Sequence, residues 1–136
     1  MPRNPYESYK KQSIMTMTPG DMLLTLYDEI LKQGETAKVA MERKEYGDVN
    51  RALQKAQRIL SHLKATLDFK YDIAKNLNAL YDYFIEQIVS ANMKKDPAPL
   101  MEILPMIQEL RDTYCEADKR SRSGAAGATD LKAAKA

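Results

Sequence analysis

Few residues in this 136-residue chain could perform chemistry. His62 and Cys115 are each the single residue of their type. A zinc site needs several such ligands, and a cysteine nucleophile needs a histidine partner, so neither is indicated. Gly124 and Gly127 lack the flanking strand of a phosphate-binding loop. Carboxylates are interleaved with lysines and arginines, which is typical of a solvated helix surface. The sequence therefore predicts no catalytic residues, no metal site and no cofactor.

His62 indicates one alternative function, phosphotransfer. Histidine phosphotransfer domains are four-helix bundles with an exposed histidine, followed about one turn later by a lysine and then a glycine. Here Lys64 comes two residues after His62, no glycine follows, and the spacing places His62 beside the apolar stripe of its helix. A shared fold is weak support for a shared function, so phosphotransfer is kept only as the less favoured alternative.

The composition argues against a nucleic-acid-binding protein and against a membrane protein. Lys and Arg total 21 against 19 Asp and Glu, and the two signs are mixed along the chain. Nucleic-acid binders usually concentrate positive charge on one face, so we expect no nucleic-acid partner. No apolar run approaches the roughly 20 residues of a membrane helix, and the start lacks a secretory signal. One cysteine fits a reducing compartment, so the cytoplasm is expected.

The elements that would position any site are predicted to be helical. Thr18-Pro19-Gly20-Asp21 is a helix start, and apolar residues then recur at spacings of three and four in a helix running to about Glu42. Gly34 lies on that stripe and predicts a close helix approach. Three further amphipathic segments follow, separated near 44–48, 68–72 and 94–97. Pro105 interrupts the last and predicts a kink or a late start. The expected fold is all-α, an antiparallel up-down four-helix bundle over 18–120, with a lead at 1–17 and a disordered tail at 121–136.

Two features exceed what a four-helix core requires. Beyond its core stripe, the third helix also carries Tyr83, Ile85 and Val89, which indicates either deep burial or a groove for a guest helix. Tyr6 and Tyr9 in the lead are three residues apart and would share one side of a helical turn. They could pack as part of the fold or form a releasable docked segment. A homodimer using the third helix also stays open.

A set of short motifs resembles the flagellin-specific export chaperones of the FliS family. The resemblance spans residues 4 to about 117. The matching segments, in order, are Asn4-Pro5-Tyr6 with Tyr9, Thr18-Pro19, Leu26-Tyr27-Asp28, Leu67-Asp68, Ile73 to Leu77, Leu80 to Tyr83, Ala91-Asn92, and Leu110-Arg111-Asp112. Two departures are Tyr114, where the family typically has tryptophan, and Pro105, in a helix that is usually unbroken.

The resemblance implies a function. Family members hold new flagellin in the cytoplasm by its C-terminal segment, prevent premature polymerisation, and assist delivery to the flagellar type III export machinery without ATP or metal. It also implies that the N-terminal segment covers part of the binding surface until cargo arrives. Carried onto this chain, the latch residues are Tyr6, Tyr9 and Ile14. The candidate groove residues are Tyr27, Ile73, Asn76, Leu77, Leu80 and Tyr83. For Asn76 two interpretations stay open, a hydrogen bond to a guest backbone or an ordinary surface position. A weak homo-oligomer of the unbound chain stays open.

Overall fold

The computed structural model describes residues 18–122, which form four helices. These are α1 (Pro19–Glu42), α2 (Tyr46–Ala65), α3 (Ile73–Lys94) and α4 (Ala98–Arg122). The predicted lead at 1–17 and most of the predicted tail lie outside the described residues. Within the described range the chain is an all-α four-helix bundle, as the sequence predicted.

The helices are arranged as a ring in which α1 and α3 each pack on α2 and α4. Cross-helix bonds show the antiparallel order. Asp28 on α1 pairs with Arg111 on α4, Asn50 on α2 bonds Asn92 on α3, and Lys64 pairs with Asp82. Connections of a few residues join consecutive helices, which forces neighbours in sequence to run in opposite directions.

The start of α1 follows from its first four residues. Thr18 Oγ1 accepts a hydrogen bond from the Asp21 backbone N–H at 3.1 Å, and the Asp21 carboxylate accepts one from the Thr18 N–H at 3.4 Å. This reciprocal capping box satisfies two donors that the helix itself cannot pair. Pro19 needs no partner for its missing N–H at the first position. The predicted start is confirmed to the residue.

Gly34 marks a close approach between α1 and α4. A Cβ added at Gly34 would lie 2.5 Å from Leu104 Cδ2, well inside van der Waals contact. Glycine lacks that atom, so the two helices can pack closely at this level, at a propensity cost of about 1 kcal/mol relative to alanine. The close helix approach expected at Gly34 is therefore found.

Pro105 does not delay the fourth helix. α4 begins at Ala98, whose backbone N–H donates to Asp96 Oδ1 at 2.9 Å, and continues through Pro105 to Arg122. The expectation of a late start was wrong. Proline cannot donate to the carbonyl four residues earlier, that of Met101. Pro105 and Met101 are both on the exposed side of α4, where water can satisfy the freed carbonyl.

The core contains a cluster of three buried tyrosines. Tyr27 is 0% exposed, and its hydroxyl forms a hydrogen bond with the hydroxyl of Tyr81, which is also 0% exposed. The Tyr114 ring stacks on Tyr27 with centroids 5.9 Å apart and planes within 5°. This bond joins the diagonal helices α1 and α3, and the stack adds α4. Tyr114 is therefore a buried aromatic residue of the core.

The tyrosine cluster predicts a loss of stability at alkaline pH. Burial raises the pKa of Tyr81 to about 12 and also raises the pKa of Tyr27, against about 10 for an exposed tyrosine. Above pH 10 the unfolded chain therefore releases these protons while the folded chain retains them. The free energy of unfolding should fall between pH 10 and 12, by up to about 1.4 kcal/mol per pH unit per buried phenol.

Urea titrations at steps from pH 8 to 11.5, with phenolate absorbance recorded in parallel, would measure that loss. A Tyr27→Phe, Tyr81→Phe double variant should show a shallower decline than the unmodified chain, because its two buried titrating groups are gone. An identical decline in both proteins would mean that other groups cause it.

Candidate functional site

The third helix presents three faces with different surroundings. Its inner face is buried in the core and consists of Ala74, Leu77, Tyr81, Phe84, Ile88 and Ala91. The flanking residues are half-buried or exposed. They divide into a side directed toward α2 and a side directed toward α4. One flank carries the candidate groove, and the other packs against α2.

The flank toward α4 carries the apolar stripe that sequence reasoning proposed as a groove. Ile73, Leu80 and Tyr83 are half-buried and pack against the core, while Asn76 between them is exposed. The spacing of three, four and three residues places all four on one side of α3. The Tyr83 hydroxyl donates to Glu102 Oε1 on α4 at 2.7 Å, which fixes the direction of this side. That bond also raises the pKa of Tyr83.

Residues of α4 complete this surface, and the sequence reasoning missed them. Met106 and Leu110 follow Glu102 at intervals of four residues, so they continue along the side of α4 that faces α3. Leu110 is half-buried against the core, and Met106 is 38% exposed. We call Ile73, Asn76, Leu80, Tyr83, Met106 and Leu110 together the α3–α4 seam. The signal that could have found the last two was their four-residue spacing.

The α3–α4 seam lies where the bundle is least tightly closed. Of the four neighbouring helix pairs, α3 and α4 make the least extensive contact. Apolar side chains along such a pair are covered on one side by the core and open on the other. The surface is therefore suited to receive a further apolar element without unfolding the bundle.

The other flank of α3 is engaged with α2. Asp82 pairs with Lys64 at 2.7 Å, and Asn92 donates to Asn50 Oδ1 at 2.9 Å. Ile85 and Val89 lie between these two bonds at helical spacing, so they share the α2 side and are half-buried there. The extra apolar residues of the third helix thus lie on two different flanks. Of Tyr83, Ile85 and Val89, only Tyr83 lies on the flank of the proposed groove.

Two of the proposed groove residues lie in the core. Tyr27 is 0% exposed and Leu77 is 4% exposed. A guest on the closed bundle would not touch Tyr27, which instead supports the surface from below through its bond to Tyr81. The proposed latch residues Tyr6, Tyr9 and Ile14 lie outside the described residues.

The surroundings of His62 differ from those of a phosphotransfer site. His62 is exposed near the end of α2. Lys64, the nearest cation along the chain, is held by Asp82 of α3 at 2.7 Å. It is therefore directed away from the side of α2 that carries His62. This geometry gives the phosphotransfer alternative no support.

Within residues 18–122, no helix is long and apolar enough to cross a membrane. Over the same range, no three or more His, Cys, Asp or Glu side chains are grouped so that they could hold a metal ion. The motif segments around Asp28 and Arg111 are joined by an ion pair, with Arg111 Nε 2.9 Å from Asp28 Oδ1. Those motifs thus hold α1 to α4.

Comparisons with known proteins point to one family. The model of a family described as "Flagellar protein FliS" matches residues 2–121. A Bacillus subtilis (strain 168) protein named "Flagellar secretion chaperone FliS" is 34% identical over 128 residues, 92% of this chain and 96% of that protein. A Vibrio cholerae protein of the same name is 30% identical over 82% of this chain and 87% of its own length. One from Salmonella typhimurium is 27% identical, covering 76% and 79%.

The family match covers all of the described bundle except its last residue, and the B. subtilis relative is matched over nearly its full length. The helices, the tyrosine cluster and the Asp28–Arg111 pair all fall within the matched range. The chain therefore belongs to the FliS family of flagellar secretion chaperones.

Proposed function

We propose that this protein holds the C-terminal segment of flagellin in the cytoplasm, prevents its premature polymerisation, and assists its delivery to the flagellar type III export machinery. Membership of the FliS family supports a chaperone role. The observation that carries the proposal is the α3–α4 seam, an apolar surface on the pair of helices with the least extensive contact.

The dimensions of the seam suit a short helix. Ile73 and Tyr83 are ten residues apart, which corresponds to about 15 Å along α3. That length matches nearly three turns of a guest helix laid into the groove. An amphipathic guest would place its apolar stripe over Leu80, Met106 and Leu110 and leave its polar side in water.

Asn76 supplies a polar contact within this apolar stripe. Its side chain is exposed, and it forms no hydrogen bond with any residue of 18–122. An asparagine amide can both donate and accept, so it can pair with backbone groups of an irregular or extended part of the guest. In this proposal Asn76 sets the register of the cargo on the seam.

The latch proposed for the lead would act by competition. Tyr6, Tyr9 and Ile14 offer apolar side chains that can cover the α3–α4 seam when cargo is absent. Tyrosine combines a large apolar surface with a polar tip, so its removal into water costs less than that of a wholly apolar side chain. Cargo that buries more apolar surface would therefore replace the lead.

The cargo would fold as it binds. A flagellin segment that is disordered in isolation gives up conformational entropy when its helices form on the bundle. Coupled folding of this kind typically buries about 1,000–3,000 Å² and costs about 2–5 kcal/mol in ordering. The complex can then be specific and still release its cargo at export, since part of the interaction free energy is used in ordering the segment.

Circular dichroism of a mixture with the flagellin C-terminal segment tests the proposal. We expect helical signal above the sum of the separate components, and suppression of flagellin polymerisation at equimolar chaperone. Light scattering on the same samples should give a complex with one copy of each chain. A spectrum equal to the sum of the components, with polymerisation unchanged, would contradict the proposal.

A further inference from the structure

A groove separate from the α3–α4 seam runs between the outward sides of α1 and α2. It encloses about 780 Å³. Ala40 and Ala52 are buried in its floor, and Val39 at its rim is 45% exposed. Small side chains in the floor leave room for the side chains of a helix laid along the groove.

The charge of this groove differs from that of the whole chain. Five cationic side chains line it, against three carboxylates. Two of those carboxylates are already paired, Asp48 with Arg51 and Glu35 with Lys38. In contrast, Lys32, Arg43 and Arg58 form no salt bridge with any other residue of 18–122. The groove thus keeps an excess of positive charge in a chain whose total charge is nearly balanced.

The cations are arranged in rows. Arg51, Lys55 and Arg58 occur at spacings of four and three on one side of α2, and all three are exposed. Lys55 reaches across to Glu29 of α1 at 2.9 Å, which shows that this side of α2 faces α1. Lys32 lies one turn after Glu29 on α1, and Lys55 and Lys32 both act on that carboxylate. They lower the pKa of Glu29, first through its hydrogen bond from Lys55.

We propose that the α1–α2 groove is a second docking site, which takes an acidic amphipathic helix of another protein. The apolar floor fits small apolar residues of such a helix, and acids at spacings of three and four would face the rows of cations. Complementary charge would give the encounter its direction and its salt dependence. Nucleic acid fits less well because three carboxylates interrupt the cations of the groove.

The position of this groove allows two partners at once. In the ring of helices, the α1–α2 pair lies opposite the α3–α4 pair. A segment on the α3–α4 seam would therefore leave the groove open. The chaperone could carry cargo on one edge and present the other edge to an acidic partner. The docking site stands on its own geometry and does not depend on what fills the seam.

The test uses a synthetic 18-residue helical peptide as probe. One side of this peptide is alanine and leucine, flanked by glutamates at spacings of four and three, and a matched peptide carries glutamine in their place. We expect the acidic peptide to shift amide resonances along 32–43 and 51–58 of the full chain, with binding weakened at least tenfold between 50 and 500 mM salt. Equal binding of the glutamine peptide, or shifts confined to another surface, would overturn the proposal.

Charge reversal supplies the matched variants. Lys32→Glu combined with Arg58→Glu should weaken binding of the acidic peptide at least tenfold. Lys94→Glu combined with Lys119→Glu makes the same change in net charge on α3 and α4, outside the groove, and should leave it unchanged. Equal weakening in both pairs would show a non-specific charge effect and overturn the site. Self-association abolished by the first pair alone would assign the groove to a second copy instead.

A parallel titration separates this proposal from the chaperone function. The Lys32→Glu, Arg58→Glu variant should still bind the flagellin C-terminal segment as the unmodified chain does. If no protein binds flagellin but the acidic peptide binds as expected, the chaperone proposal fails and the docking site stands. If flagellin alone binds, the docking site fails.

Discussion

Replacing Tyr27 with phenylalanine is expected to lower the free energy of unfolding by about 1–3 kcal/mol. The ring would remain stacked on Tyr114, so the apolar packing is kept and only the hydroxyl is lost. The hydroxyl of Tyr81 would then be buried without its partner from α1. The Tyr81→Phe variant should show a similar loss for the reciprocal reason. Urea unfolding followed by circular dichroism gives both values.

The Tyr27→Phe, Tyr81→Phe double variant tests whether the two hydroxyls stabilise the core as a pair. With both hydroxyls removed, no buried donor or acceptor of the pair is left unsatisfied, so the combined loss should be smaller than the sum of the two single losses. Tyr46→Phe is the matched control, because Tyr46 is 46% exposed and its change should stay within about 0.5 kcal/mol. Single losses as small as that of Tyr46, or strictly additive ones, would show that the hydroxyl pair does not stabilise the core.

Truncation of the α3–α4 seam should produce the largest loss of binding. Ile73→Ala together with Leu80→Ala removes apolar surface that a guest would cover. We expect a loss of about 2–4 kcal/mol, so that the flagellin C-terminal segment binds roughly 30- to 1,000-fold more weakly. Calorimetric titration of the segment into each purified protein measures the change.

The matched control lies on the same helix. Ile85→Ala together with Val89→Ala truncates half-buried aliphatic residues on the side that faces α2. Its effect on stability should resemble that of the seam variant, while its affinity for flagellin should change less than threefold. Urea unfolding of both variants verifies that each is folded at the titration temperature. Equal weakening in the two variants would place the guest elsewhere or attribute the loss to general destabilisation.

Much of the fold could be predicted because local patterns and tertiary packing agree. The start of α1 follows from four consecutive residues whose side chains satisfy the helix end. The apolar spacing of three and four residues correctly identified the buried stripe of each helix. Gly34 could be interpreted as a close approach because glycine inside a helix is otherwise unfavourable. Each of these signals depends on neighbours in the chain.

The fourth helix shows where such reasoning fails. A proline inside a helical segment predicts a kink or a late start, and of these two the late start was wrong. Whether a helix tolerates proline depends on where the freed carbonyl points, and that is a property of the assembled bundle. Pro105 lies on the exposed side of α4, so the lost hydrogen bond can be replaced by water.

The candidate site could be predicted only in part from the sequence, for a similar reason. Ile73, Leu80 and Tyr83 were assigned to the groove by resemblance, because periodicity does not tell which side chains face a guest and which face the core. The bond from Tyr83 to Glu102 shows that Tyr83 faces α4 and separates it from Ile85. Tyr27 was assigned to the groove by resemblance, yet its hydroxyl is used inside the core. The four-residue spacing of Met106 and Leu110 places them on one side of α4, but only the packed structure shows that this side faces α3.

The most direct test of the central claim is a calorimetric titration of the flagellin C-terminal segment into the full-length protein. We predict one binding site per chain, a dissociation constant at or below the micromolar range, and a negative heat-capacity change from burial of apolar surface. Resonances of the α3–α4 seam should shift when the same mixture is observed by NMR. No heat and no shifts at micromolar concentrations would contradict the account.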